Sequence, residues 1–287
     1  VALAALAILS CLVACDSKQS RTGPGTSKPA HQSNRAVAGQ AFRASLAVGT
    51  KIPDQSDEVG WRVLSEYGAV LVARGGAVPP PFMIFPDGKA VDTWQASLKT
   101  TRANLGGTWI ELQAPAMTAL VEARTEAQMA GLNISPRDTD AGRRSYEDTV
   151  KLWASRVNPG LDHWMQDGRV SPEEAGRIRA LGPSDQVPEI LQLEKDGLYF
   201  SKDFSKSILY SVAAPGTSQH LSMLAFDVKE NEDSSVRSIL GSHGWFQTVS
   251  SDTPHFTFLG IAEDQLLALG LKKVTTAGRT FWVPRLE

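Results

Sequence analysis

Cysteine is almost missing from this chain. Of its 287 residues only Cys11 and Cys15 carry a thiol, and both fall within the first fifteen positions. The rest of the sequence therefore has no disulfide and no thiolate for catalysis or metal binding. A basic block is missing too. Lys and Arg number 29 against 31 Asp and Glu, a formal net charge of −2, so there is no electrostatic footprint for nucleic acid. Beyond the first fifteen residues no apolar run approaches membrane-spanning length. No Gly-x-Ser-x-Gly elbow or Ser-x-x-Lys pair stands in a credible context, so a serine nucleophile has no signal. No glycine-rich loop follows a strand to cradle phosphate. Chemistry is left to His, Asp, Glu, Ser and Arg, and there are only five histidines.

What is present divides along the chain. Residues 1–15, VALAALAILSCLVAC, form an apolar run ending in small residues and a cysteine, and a polar stretch follows at once. The run reads as the h-region of a secretory signal that lacks its initiator and basic n-region. Leu12-Val13-Ala14-Cys15 resembles a bacterial lipobox, in which Cys15 would be lipidated, with Asp16 resembling an inner-membrane retention signal. An acyl anchor attaches a protein without spanning the bilayer. The expected location is the cell envelope, on the periplasmic face of the inner membrane or at the cell surface. Residues 16–58 are rich in Ser, Gly, Pro, Gln and Lys and read as a flexible tether. The hydrophobic fraction of 42% is enough for a packed core in the remainder.

Globular patterning begins at Trp61. YGAVLVA (67–73), FMIF (82–85) and TWIEL (108–112) read as strands, with PDG (86–88) as a turn. Pro115 opens a helix to about Met129, closed by Gly131. NIS (133–135) begins a short strand. In the segment that follows, Tyr146, Val150, Trp153 and Val157 recur at helical spacing. Residues 160–205 are polar and helix-rich and look like an insertion. Within them HWMQDGRVSPEE lacks the first two oxygen ligands of a calcium loop, because His163 and Met165 occupy those places. Ser171 as N-cap, Pro172 in the first turn and Glu174 closing a capping box explain it as a helix start. A helix ending at Gly244, strands at 245–249 and in HFTFLG (255–260), a short helix near 264–269 and a closing hairpin complete the chain. The domains expected are an N-terminal α/β subdomain at 59–130 and a second unit at 131–287 that contains the insertion. Strands and helices mix without regular alternation, so the class is α+β.

One stretch carries the chemistry. In AAPGTSQHLSMLAFDV (213–228), an apolar segment brings Asp227 with it, and burying an unpaired carboxylate is expensive. A cation would remove that cost. Two imidazoles and one carboxylate are a zinc donor set that leaves a fourth position open. Seven residues would put His220 and Asp227 on opposite faces of one regular strand. His220 therefore belongs in the preceding loop, with a bend between the two.

These residues resemble a known signature. Ser218-Gln-His220 with Ala225-Phe-Asp227 is similar to the Ser-x-His-(x)6-Asp motif of the zinc D-alanyl-D-alanine carboxypeptidase and dipeptidase family, the VanY-like enzymes of the Hedgehog/DD-peptidase fold. Asp252-Thr-Pro-His255 resembles its second motif, Ala141-Gly-Arg-Arg144-Ser-Tyr its arginine segment, and His243-Gly-Trp245 its Gly-Phe/Trp element. All four occur in the family's order. The resemblance implies an antiparallel sheet with helices, zinc held by His220, Asp227 and His255, and Asp252 as general base. It implies that Arg144 stabilises an oxyanion or grips a substrate carboxylate, and that Ser218 hydrogen-bonds the substrate. The implied partners are peptidoglycan stem peptides containing D-amino acids.

Three positions depart from the pattern. Met223 replaces Gly at the bend, Arg143 replaces Tyr, and Asp252 stands where many members have Glu, one methylene longer. Met223 and Asp252 keep open a second reading, a cell-wall-binding lipoprotein that retains the fold without turnover. Structural roles also stand beside the catalytic ones. Asp252 would cap the turn before His255, and Arg144 would pair with Glu147 or Asp148. His243 would cap its helix. His31 and His163 are assigned to no site.

Overall fold

The computed structural model describes residues 39–287, so the lipobox with Cys15 and most of the tether lie outside the described residues. Helix α1 (Glu58–Tyr67) starts where the Asp57 carboxylate accepts the Gly60 N–H, satisfying one of the orphan donors of the first turn. The apolar run that follows differs from expectation. Gly68–Val72 is a buried 3-10 turn and not a strand. A short run buried on every side has no periodicity by which the two could be told apart.

FMIF also fails as a strand and retains only one bridge, Lys51 to Phe82. Three prolines precede it and Pro86 follows; each removes a ladder donor. The PDG turn is instead a helix start, because Asp87 caps α2 (Gly88–Ala96) through the Ala90 N–H. Strand β1 (Thr100–Leu105), whose polar, half-exposed residues give no strand signal, pairs antiparallel with the expected β2 (Thr108–Gln113).

Helix α3 (Ala114–Met129) carries proline in its first turn, and Gly131 follows it at φ 73. A left-handed glycine just past a helix end closes its last carbonyls. The NIS strand reduces to a bridge between Pro136 and Val228. Helix α4 (Tyr146–Gln166) opens with a complete capping box between Ser145 and Asp148. It buries Trp153, Val157 and Leu161 on one face and continues through Pro159 and across residue 160. Helices α5 (Pro172–Ala180) and α6 (Pro183–Lys195) follow; the Ser171 hydroxyl accepts the Glu174 N–H, but the Glu174 carboxylate makes no return bond, so only half of the expected capping box forms.

The second half holds the central sheet. Its strands β3 (Ala225–Asp227), β4 (Trp245–Gln247) and β5 (His255–Phe258) lie in the order β3-β5-β4, all antiparallel. Helix α7 (Ser234–Ser242), capped by Asp233, connects β3 to β4. His243 is its C-cap residue, and His243 Nε2 lies 2.8 Å from Glu126 Oε2. The short helix near 264–269 is a 3-10 turn at Glu263–Gln265, and β6 (Leu271–Thr276) pairs with β7 (Arg279–Pro284) as the closing hairpin. The molecule is α+β, with helices around small antiparallel sheets. Phe226, Trp245 and Phe256 of the central sheet are fully buried in the core that also contains Trp153 and Leu64. Its three strands are thus held on a packed base, with the ends of β3 and β5 at the rim of a cavity.

Candidate metal centre

Ser218 to Met223 make the bend that the spacing of His220 and Asp227 requires. Gln219–Ser222 is a 3-10 turn, and Met223 closes it in the left-handed region, φ 59 and ψ 28. A residue with a Cβ therefore does what glycine usually does, at about 1–2 kcal/mol of backbone strain. The turn is fixed from below by Gly216, at φ 76, where an added Cβ would lie 2.1 Å from the Phe85 carbonyl oxygen. The Gly216 N–H reaches the Thr149 hydroxyl on α4 at 3.3 Å.

Asp227 is the last residue of β3 and pairs in register with His255, the first residue of β5. Residues 136–142 run alongside. The Asp227 N–H donates to the Ala141 carbonyl at 3.0 Å, and the Arg137 N–H donates to the Asp227 carbonyl at 2.9 Å. This strap brings the Gly142 carbonyl over the turn, where it lies 2.6 Å from His220 Nδ1. A side chain at residue 142 would meet Ile110 at 2.8 Å, so the close approach requires glycine.

Three donor groups result. His220, Asp227 and His255 are all buried and each offers an atom within 4.8 Å of the others. Asp227 Oδ1 lies 3.3 Å from His220 Nε2 and 3.2 Å from His255 Nδ1, and the two rings stand edge to face with centroids 4.9 Å apart.

The tautomers follow from the outer hydrogen bonds. A carbonyl can only accept, so His220 Nδ1 carries its proton toward Gly142 and leaves Nε2 as the lone pair. That Nε2 is buried and has no hydrogen-bond partner. Gln219 does the same for the second ring. Its Nε2 donates to the Tyr67 carbonyl at 2.8 Å, which turns Oε1 toward His255 Nε2 at 2.9 Å. The hydroxyls of Thr248 and Thr257 also close on Gln219 Oε1. His255 Nε2 is therefore the donor and Nδ1 the free lone pair. Both imidazole lone pairs and one carboxylate oxygen then face a common point with no proton among them. Such a set of acceptors could hold a cation, and its donor types suit zinc.

Electrostatics keep the ligands ready. Burial pushes the His220 pKa below its ordinary value, so the ring stays neutral. Burial alone would raise Asp227, yet its carboxyl lies well below the usual range. Arg144 pairs with the ionised group, its Nη2 on Asp227 Oδ2 at 2.8 Å. The two carboxylate oxygens thus divide their work, Oδ1 toward the histidines and Oδ2 toward the arginine. Arg144 Nε also meets the Asp140 carboxylate at 3.3 Å. Its partners are Asp227 and Asp140; the expected alternatives, Glu147 and Asp148, face elsewhere.

The centre opens into a cavity of about 260 Å3. Ser218, half-buried, and Asp252, exposed, both line it. Asp252 is on the loop between β4 and β5, where its carbonyl accepts the His255 N–H at 3.2 Å. Its carboxylate makes no hydrogen bond or ion pair among the described residues, so the expected side-chain cap is not made. Arg143, standing where the resembled motif has Tyr, points away to Gln95 and Glu111. His163 stacks on Phe204. His31 lies outside the described residues.

Gln219 and the Gly142 carbonyl were not singled out in the sequence. The available signal for Gln219 was a polar side chain between Ser218 and His220 in a stretch bound for the core.

A scan against protein-family models finds no match, and a search of curated proteins finds none either. A search of solved structures returns a zinc(II)-bound mutant of VanY, a vancomycin-resistance D,D-pentapeptidase from a VanB-type cassette. The identity is 17%, the TM-score 0.34, and the match covers 68% of this chain and 90% of that one. It is of the class that the motifs resemble. The geometry of the site, and not a likeness of this size, decides what the chain can do.

Proposed function

We propose that the protein is a zinc-dependent peptidase that hydrolyses D-amino-acid-containing peptides of peptidoglycan, acting as a D-alanyl-D-alanine carboxypeptidase does. The observation that carries the reading is the convergence of His220 Nε2, His255 Nδ1 and Asp227 Oδ1, with the outer nitrogen of each ring engaged by a protein oxygen. A two-histidine, one-aspartate set suits Zn2+ and leaves room for solvent or substrate.

Bound there, zinc would polarise the scissile carbonyl and make water acidic enough to attack near neutral pH. The chain's own residues do the rest. Asp252 Oδ, unpaired at the cavity wall, accepts the proton of the attacking water and returns it to the leaving amine. Arg144 orients Asp227 through Nη2, and from the cavity wall its guanidinium would stabilise the oxygen that gains charge as water adds. Ser218 lends a hydroxyl to the bound peptide from the rim. Attachment at the cell envelope through Cys15 belongs to the same proposal and rests on residues 12–15 alone.

The test is Asp252→Ala. The variant should bind zinc as the parent does and lose at least ~100-fold in turnover of a D-Ala-D-Ala peptide, the lower end of what a positioned base contributes. Undiminished turnover would remove Asp252 from the mechanism. Zinc binding with no cleavage of any muropeptide by the parent would leave a binding protein in its place.

A further inference from the structure

The cavity contains more charge than its metal centre uses. Three arginines and several carboxylates line it, and most of them pair off. Arg144 is held by Asp227 and Asp140. Arg137 lies 3.8 Å from Asp138. Two groups remain without an ionic partner among the described residues, the Asp252 carboxylate and the guanidinium of Arg156.

Arg156 stands on the face of α4 that walls the cavity, one turn beyond Leu152 and two beyond Thr149. Its contacts are to neutral oxygens. Nε donates to the Ser211 hydroxyl at 2.7 Å and Nη1 to the Ser155 hydroxyl at 2.9 Å. Those bonds fix the plane of the fork and leave Nη2 unengaged. A half-buried guanidinium held in orientation by hydroxyls, with its charge unmatched, is prepared for an anion, and its planar fork fits a carboxylate. Arg144 is less suited to that task because two carboxylates already occupy it. Leu152 and Val212, also in the wall, give the neighbouring space an apolar side.

We propose that Arg156 is the anion-binding residue of the cavity and takes the terminal carboxylate of the substrate, with the small apolar side chain of that terminal residue lying toward Leu152 and Val212. The proposal rests on the peptidase reading for the substrate's identity, and binding tests it apart from turnover. A free carboxylate at the chain end would then be a requirement, which makes the activity that of an exopeptidase.

The experiment measures calorimetric binding and cleavage of two probes on the zinc-loaded protein. One is N-acylated Lys-D-Ala-D-Ala with a free carboxylate, and the other is its C-terminal amide. Parent, Arg156→Met and Arg156→Lys are compared, with zinc content and melting temperature recorded for each. The parent should bind the acid at least ~10-fold more tightly than the amide, as expected for a charge-assisted pair. Arg156→Met should abolish that preference with zinc content unchanged, and Arg156→Lys should restore part of it. A parent that cleaves the peptide while Arg156→Met keeps the acid preference overturns the assignment and leaves the peptidase reading intact. A parent that cleaves neither probe nor any muropeptide but shows the Arg156-dependent preference overturns the peptidase reading and upholds the site. Equal binding of acid and amide by the parent overturns the assignment without any variant, so it remains testable even if Arg156→Met fails to fold.

Discussion

Asp227 and His255 are direct partners across the β3–β5 ladder, although 28 residues separate them in the chain. Strand pairing itself therefore sets the distance between two of the three donor groups. The third, His220, arrives from a tight turn that Met223 closes. A one-residue slip of β5 against β3 would turn His255 to the other face and dismantle the centre. The buried Phe226–Phe256 pair next to it resists such a slip, because a slip of β5 would turn Phe256 away from Phe226 and from its place in the core.

Gln219 provides the sharpest test of how the second imidazole is oriented. Gln219→Leu removes the acceptor for the His255 Nε2 proton and frees the ring to take the other tautomer. Zinc affinity should fall about 10–100-fold, the usual cost of losing an outer-shell partner. Nitrogen NMR of the apo protein should show His255 moving from an Nε2-protonated form to a mixture. Unchanged affinity and tautomer would mean that the ring is held by packing alone.

Met223 yields a prediction that inverts the common ranking of two residues. Glycine is ordinarily less stable than alanine within structured segments. At φ 59 the order should reverse, with Met223→Gly about 1 kcal/mol more stable than Met223→Ala in urea denaturation. Both should be less stable than the parent, since Met223 is buried. Alanine more stable than glycine would contradict a left-handed residue at this bend.

Glu194 couples the stability of the helical segment to pH. Its side chain is buried, and burial raises its pKa even though the Ser207 hydroxyl and Ile208 N–H donate to it. A carboxyl whose folded pKa lies above its unfolded value contributes stability that is fully present below the unfolded value. That contribution is lost as the pH rises through the folded one. Unfolding free energy should therefore fall as pH rises from about 4.3, the ordinary glutamate value. Glu194→Gln should flatten that portion of the profile, measured by urea denaturation at a series of pH values. A Gln variant with the parent's full slope would place the dependence elsewhere.

The legible and illegible parts of the chain separate for physical reasons. Helix α3 was readable because Pro115 marks its start and Gly131 its end, and α4 because Tyr146, Val150, Trp153 and Val157 recur at helical spacing. Residues 68–72 and 82–85 were not, because a short apolar run buried on every side gives strand and turn the same appearance, and the prolines around FMIF act on pairing more than on hydrophobicity. At the site, His220, Asp227 and His255 could be found from chemistry and order in the sequence, and so could the bend between the first two. The division of Asp227 between the histidines and Arg144 could not, since it depends on a strap at 136–142 whose only strand feature is one bridge. Gln219 was equally hidden, because its role consists of bonds to Tyr67 and His255, residues 152 positions before it and 36 after it.

The most direct measurement is the zinc content of the purified chain after stripping and reloading, with His220→Ala, Asp227→Asn and His255→Ala alongside. One equivalent of zinc in the parent, lost or greatly weakened in each variant while far-ultraviolet circular dichroism stays unchanged, is the predicted result. A parent that retains no stoichiometric zinc, or a His220→Ala protein that holds it as tightly as the parent, would contradict the account.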